Sequence, residues 1–183
     1  MDGHDKGLQL LAGRPLAAHV IERLAPQVGA LLVNANRNHD AYAALGHPVI
    51  ADTLAGFAGP LAGLQAGLAA CKTPFLATAP CDAPLLPDDL VERLLAGLTA
   101  KAARAAAAFA DGRLQPAFML CRREVAGELE RYLAGGGRRI HTWLEDIGVC
   151  AVSFADSRAF INVNTPSELA ELEVEPCPPP ESA

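Results

Sequence analysis

Cysteine chemistry finds little support in this chain. The five cysteines, Cys71, Cys81, Cys121, Cys150 and Cys177, are odd in number and form no CxxC pair, so neither a disulfide framework nor a structural zinc site is indicated. A reducing cytoplasm fits that pattern. The five histidines show no His-x-x-x-His spacing, and a histidine metal centre has no basis in the sequence. No apolar run reaches the length that spans a bilayer, and the N-terminus is polar, not signal-like. Basic clusters are scarce too. With 15 Lys and Arg against 21 Asp and Glu, the formal charge is −6, the wrong sign for a general nucleic-acid or anionic-membrane surface. Any phosphate is bound locally.

What remains is a chain of 183 residues, 51% hydrophobic and 20% charged, which suits one globular domain over residues 1–173. From Val174 the composition turns Pro- and Glu-rich, as in a disordered tail over 174–183. The stretch Pro74–Pro84 organises the rest. Phe75 to Ala79 is an uncharged apolar run of strand length, as expected of a strand covered on both faces by helices. Asp82 follows at once. In open α/β sheets the ligand sits outside the carboxyl ends of the strands, where a carboxylate can hold a metal and phosphate pair. The competing reading is that Asp82 caps the turn before Pro84.

In chain order, the charged opening Met1–Leu8 has no strand before it. Pro15 to Gln27 reads as an amphipathic helix with Leu16, Val20, Ile21 and Leu24 on one face. Val28 to Val33 reads as a buried strand ending in Asn34-Ala35-Asn36-Arg37. Asp40 to Leu45 is a short helix, and Pro48 to Ala51 a short strand ending at Asp52, a second strand-end carboxylate. Gly56 to Gly63 is a flexible loop entering a helix that runs to about Ala70. That helix start is either an anion site or an ordinary turn with Pro60 at the first helical position. Pro87-Asp88-Asp89-Leu90 opens a helix to about Thr99. This alternation implies a mainly parallel sheet with right-handed crossovers.

The second half changes rhythm. Ala105 to Phe109 and Ala117 to Cys121 flank the turn signal Asp111-Gly112-Arg113, which implies an antiparallel excursion. Arg123 to Leu133 is helical and Gly135-Gly136-Gly137 stops it. The basic pair Arg138-Arg139 is either a phosphate grip or the solvated start of the helix Ile140 to Asp146. Val149 to Phe154 is a strand. Phe160 to Pro166 then leads to a last helix, with Asn162 and Asn164 alternating around Val163 on one face of an extended segment.

Taken together, these segments resemble the molybdenum cofactor guanylyltransferases, or molybdopterin-guanine dinucleotide synthases. The matching pieces are Asp5-Lys6-Gly7-Leu8, Gly13-x-Pro15-Leu16, Val33-Asn34-Ala35-Asn36-Arg37, Gly59-Pro60-Leu61-Ala62-Gly63, Pro80-Cys81-Asp82-x-Pro84 and Asn162-Val163-Asn164-Thr165-Pro166. Their order and spacing carry the resemblance. It implies a Rossmann-like nucleotidyltransferase fold, a mainly parallel sheet flanked by helices, that joins GMP from GTP to the terminal phosphate of molybdopterin with Mg2+ and releases pyrophosphate. By the same resemblance Lys6 neutralises nucleotide phosphate, Asn34 and Asp52 bind the guanosine part, and Asp82 is the Mg2+ ligand. Asn162 and Asn164 fall in a motif associated with molybdopterin. Implied partners are GTP and molybdopterin, with molybdopterin-synthesis proteins and apo-molybdoenzymes as protein partners.

One departure stands out. The family begins with a strand ending in Leu-Ala-Gly-Gly and a loop carrying Arg-Met-Gly, and this sequence starts at the Met of that loop, with Asp2 where the family usually has glycine. The domain is therefore expected to be N-terminally incomplete, its first strand lying upstream in the middle of the sheet. Other readings remain open. One is a cytidylyltransferase or other nucleotidyltransferase of the same fold, although Asn34-Ala35-Asn36-Arg37 and Gly59 to Gly63 lean to GTP. The other is a non-catalytic pterin- or partner-binding protein.

Overall fold

The computed structural model describes residues 5–53 and 59–174. After a 3-10 turn at Lys6–Leu8 come β1 (Leu10–Leu11), β2 (Arg14–Pro15), α1 (Leu16–Leu24), β3 (Val33–Asn34), α2 (His39–Ala43) and β4 (Val49–Ile50). Then follow α3 (Pro60–Ala70), β5 (Phe75–Thr78), α4 (Leu90–Ala100), β6 (Ala105–Ala110), β7 (Arg113–Arg122), α5 (Ala126–Ala134), α6 (Ile140–Ile147), β8 (Val149–Ser153) and α7 (Pro166–Val174).

Four strands form the main sheet in the order β5-β7-β6-β8. β7 runs antiparallel to both β5 and β6, whereas β6 and β8 are parallel. Three strands thus share one direction and β7 is the antiparallel excursion that the sequence announced. Its hairpin turns at Asp111 and Gly112, with φ of 52° and 69°, the left-handed pair that suits a two-residue hairpin. The register shifts between Ala107 and Ala108, opposite the part of β7 that contains Pro116, which has no N–H for a ladder bond.

β6 shows why the layers form. Its sequence Ala-Ala-Ala-Ala-Phe-Ala alternates between two cores, because successive strand residues point to opposite faces. Ala106, Ala108 and Ala110 pack with Leu90, Leu94 and Leu98 of α4, which recur every four residues and are at most 1% exposed. Ala105 and Ala107 face Leu61, Leu64 and Leu68 of α3, Leu129 and Leu133 of α5, and Trp143 and Leu144 of α6. Small strand residues let helices approach both faces, and each fully buried leucine contributes about 1.5–3 kcal/mol of apolar burial.

Two strand expectations need correction. The strand expected over Val28 to Val33 is only β3, Val33–Asn34, because its parallel partner β4 is itself two residues long. All four residues of β5 are half-buried, not covered on both faces, since among the described residues β5 pairs with β7 alone and is an edge of the four-stranded sheet. The β3–β4 pair forms its own two-stranded sheet, as does the β1–β2 pair. α3 packs against both β3 and β5 and so bridges the two sheets. The last helix continues through Val174, one residue beyond the expected domain end. The expected tail beyond it and the Gly56 part of the expected loop lie outside the described residues. Among the described residues no helix is long and apolar enough to cross a membrane.

Candidate active site

Strand ends supply the polar groups. Asp82 lies in the turn after β5, where its carbonyl accepts Val163 N–H at 2.8 Å. That bond fastens the Asn162–Thr165 segment to the Asp82 turn, although the two are far apart in sequence. Asp82 has 9% of its surface exposed. Burial pushes its carboxyl above the usual carboxylate range, and the charge of Lys6 opposes that shift only in part. The Lys6 ammonium stands 4.0 Å from Asp82 Oδ2 and donates to Asn164 Oδ1 at 2.5 Å. One cation therefore touches both a carboxylate from the middle of the chain and an amide from near its end.

Asn164 is oriented by its neighbours. Its Nδ2 donates to the Asn162 carbonyl at 2.9 Å, which turns Oδ1 toward Lys6. Below it, Glu168 Oε2 accepts the N–H groups of Asn164 at 2.6 Å and Thr165 at 2.9 Å, while Glu168 N–H donates to Thr165 Oγ1 at 3.2 Å. This is a reciprocal capping box at the start of α7. The backbone hydrogen bonds hold the Glu168 carboxyl below its ordinary value. Asn162 does not join Lys6. Its Oδ1 is buried and, among the described residues, has no hydrogen-bond partner, an expensive arrangement for a polar atom.

A second cluster forms at the ends of β3 and β4. Asn34 Nδ2 donates to Asp52 Oδ1 at 3.1 Å, Asn36 Nδ2 donates to Asp52 Oδ2 at 2.7 Å, and Asp52 N–H returns a bond to Asn36 Oδ1 at 2.8 Å. The parallel pairing Asn34↔Ile50 places these residues side by side. Gly63, in the first turn of α3, closes over them: a Cβ there would lie 2.6 Å from Asn34 Oδ1 and 3.8 Å from Asp52 Oδ1. The helix start thus sits directly on the cluster.

The clusters are linked through Asp5. Its carboxylate accepts Tyr42 Oη–H at 2.6 Å and Asn38 Nδ2–H at 3.0 Å, and Arg37 Nε lies 3.4 Å from Oδ2. Cys81, although exposed as a residue, turns its Sγ toward Gly7, where an added Cβ would meet it at 2.8 Å. Burial, then the Asp82 charge, pushes the Cys81 thiol up to about 11, so it is a neutral packing group and not a thiolate nucleophile. The four described cysteines are all free.

The sequence-expected residues therefore fall into two contacting groups, Lys6 with Asp82 and Asn164, and Asn34 with Asp52. Asn36, Asp5, Tyr42 and Cys81 escaped assignment. Asn36 was visible as a second polar residue after the strand, and Cys81 as the neighbour of Asp82. Nothing in the sequence links Asp5 to Tyr42. The basic pair Arg138-Arg139 acts locally: Arg138 Nη1 donates to the Leu133 and Gly137 carbonyls, and the Arg139 carbonyl accepts Tyr132 Oη–H.

Known proteins bear on this arrangement. The profile of the MobA-like NTP transferase domain matches residues 1–147. A molybdenum cofactor guanylyltransferase of Cupriavidus necator is 50% identical over 178 residues, covering 94% of this chain and 89% of its own. One from Burkholderia orbicola is 50% identical over 181 residues, covering 94% and 88%. Among solved structures, the molybdopterin-guanine dinucleotide biosynthesis protein A of Archaeoglobus fulgidus aligns with a TM-score of 0.73 at 24% identity, covering 94% of this chain and 91% of that one. The 2-C-methyl-D-erythritol 4-phosphate cytidylyltransferase of Thermus thermophilus aligns at 0.71 with 16% identity, covering 93% of each. These structural likenesses carry the nucleotidyltransferase fold.

Proposed function

The chain belongs to the MobA-like NTP transferase domain family, among its molybdenum cofactor guanylyltransferases, and from that premise we propose that it transfers GMP from GTP to the terminal phosphate of molybdopterin. The products are molybdopterin guanine dinucleotide and pyrophosphate. The observation that carries the reading is the convergence of Lys6, Asp82 and Asn164 at one strand end. A terminal phosphate oxygen of molybdopterin attacks the α-phosphorus of GTP in line, the bond from that phosphorus to the bridging oxygen breaks, and pyrophosphate leaves. A phosphate monoester is largely deprotonated at neutral pH, so the attacking oxygen needs no general base. Positioning and charge stabilisation supply the rate.

The residues suit a Mg2+ ion. Asp82 offers one carboxylate, largely shielded from water, beside the Lys6 ammonium. Among the described residues no group of three His, Cys, Asp or Glu side chains forms a metal cage. That donor set matches a Mg2+ ion held by one or two protein oxygens together with substrate phosphates. When bound, the ion neutralises charge on the transferring phosphate. Lys6 adds a compact positive charge to the same phosphates. The Asn34, Asn36 and Asp52 cluster supplies donors and acceptors for the guanosine part, and Asn162 and Asn164 serve the molybdopterin side. The product passes to apo-molybdoenzymes in the cytoplasm.

The test is incubation with Mg2+, molybdopterin and labelled GTP or CTP. Labelled dinucleotide from GTP is expected. Product from CTP alone would move the reading to a cytidylyltransferase, and no product from either nucleotide would overturn the transferase reading.

A further inference from the structure

Asp5 has no place in the transfer as described, yet both of its carboxylate oxygens are engaged. Tyr42 Oη donates to one, and Asn38 Nδ2 and Arg37 Nε approach the other. The Asp5 side chain is 13% exposed, and its Tyr42 contact is shielded from water, whereas Asn38 and Arg37 reach it from the surface. The principal donor is itself fixed. Tyr42 is 3% exposed and packs with Ala17, Val33 and Ala35. Asn38 caps α2 in the left-handed conformation, φ 54°, four residues before Tyr42. One donor at the N-cap and one within the helix meet the same carboxylate. Burial pushes the Asp5 carboxyl up, but the bonds from Tyr42 and Asn38 and the Arg37 charge outweigh it and hold the group below its ordinary value. It is a carboxylate at neutral pH.

The turn that carries Lys6 starts at this anchor. Leu8 N–H donates to the Asp5 carbonyl at 3.2 Å, and Gln9 N–H to the Lys6 carbonyl at 3.1 Å. On its other side the turn presses against α2 and the Cys81 turn at Gly7, where an added Cβ would lie 2.5 Å from Tyr42 Oη and 2.8 Å from Cys81 Sγ. Lys6 is held between two fixed residues. Its own side chain is 43% exposed, and a flexible four-carbon stem does not locate a charge by itself. The backbone beneath it must do so.

We infer that Asp5 is a positioning residue for the transfer: by mooring the Lys6–Leu8 turn to Asn38 and Tyr42, it fixes where the Lys6 ammonium meets the nucleotide phosphates. Through Arg37 the same carboxylate also holds the loop that carries Asn34 and Asn36, so it sets the spacing between the phosphate side and the base side of the site. The inference rests on the reading of Lys6 as the phosphate cation.

A double-mutant cycle tests it. Asp5→Asn, Tyr42→Phe and Lys6→Ala are made singly, and each of the first two is paired with Lys6→Ala. Dinucleotide formation from Mg·GTP and molybdopterin gives kcat/KM, and thermal unfolding gives Tm. Asp5→Asn and Tyr42→Phe are expected to lower kcat/KM about 10- to 100-fold when Lys6 is present, the scale of a misplaced catalytic group. In the Lys6→Ala background they should change it by less than about twofold. A general loss of structure moves Tm alike in both backgrounds and produces no such coupling. Equal losses of kcat/KM in both backgrounds would overturn the inference while leaving the proposed function standing. If Lys6→Ala alone left kcat/KM unchanged, the assignment of Lys6 would fall and this inference with it. Should Asp5→Asn fail to fold, Tyr42→Phe, which keeps the ring in its core and deletes one donor, completes the cycle by the same criteria.

Discussion

Replacing Gly63 by alanine sets two opposing effects against each other at the base side of the site. Gly63 lies inside α3, where alanine is worth about 0.8–1 kcal/mol over glycine in helix propensity. The new methyl, however, would stand 2.6 Å from Asn34 Oδ1 and 3.8 Å from Asp52 Oδ1. The first contact is too short to keep, so the Asn34 amide must rotate or withdraw, and its 3.1 Å bond to Asp52 Oδ1 breaks. That costs about 0.5–1.5 kcal/mol. The two terms nearly cancel, and for a chain of this size a residual of about 1 kcal/mol moves Tm by no more than about 4 °C. Binding should not be spared in the same way. If Asn34 and Asp52 hold the guanosine part, displacing one partner of a polar pairing that the bound nucleotide covers costs about 1–3 kcal/mol, or a roughly 10- to 100-fold weaker Kd for Mg·GTP. Calorimetric titration with Mg·GTP and thermal unfolding of the same sample read the two quantities. An unchanged nucleotide affinity would refute the placement of guanosine at this cluster, and an affinity loss that merely followed a large fall in Tm would refute the balance argued above.

Three further outcomes are expected. Asp82→Asn should lower kcat about 100-fold or more while leaving Tm equal or higher, because burial raises the Asp82 carboxyl above its ordinary value of 3.8 and ionised Asp82 is therefore a stability cost at neutral pH; unchanged turnover at saturating Mg2+ would reduce Asp82 to a turn residue. The acid limb of kcat/KM against pH should move to higher pH in Lys6→Ala, since Lys6 is the charge that restrains the upward shift of Asp82 and the carboxylate is lost as pH falls through its pKa; a limb that stays in place while residual activity is measurable would contradict that coupling. Leu94→Ala, which empties a fully buried position between α4 and β6, should cost about 2–5 kcal/mol in urea unfolding with no change in Mg·GTP affinity of the folded protein.

Much of this site was legible because strand ends announce themselves. Asn34, Asp52 and Asp82 each follow an apolar run, and the periodicity that gives the run also gives the place where its last side chain meets solvent or ligand. The lengths of β3 and β5's burial were not legible. Hydrophobic runs report what a segment buries, whereas strand length and coverage depend on the partner strand, and β4 offers β3 only two residues. The Asp5 network was hidden for another reason. Tyr42 sits 37 residues away from Asp5 in sequence, on a five-residue helix whose single buried ring reads as packing. Its hydroxyl becomes informative only when the Lys6 turn is laid against it.

The contact between Lys6 and Asn164 spans 158 residues, and it alters how the two substrates are expected to communicate. From sequence, Asn34 and Asp52 stood apart from Asn162 and Asn164 as separate recognition sets. In the fold, Asn164 accepts a hydrogen bond from the cation assigned to nucleotide phosphate, and that amide is held by the capping box of α7. On the proposed roles, Mg·GTP binding would draw Lys6 toward phosphate and so compete with Asn164 for the ammonium. The released Asn164 Oδ1 would then be an acceptor open to a donor on the second substrate. Ligands that exchange partners through one shared group have coupled affinities, and the coupling must be the same in both directions. If the proposed roles hold, donor and acceptor recognition meet at Lys6, although their residues lie far apart in sequence.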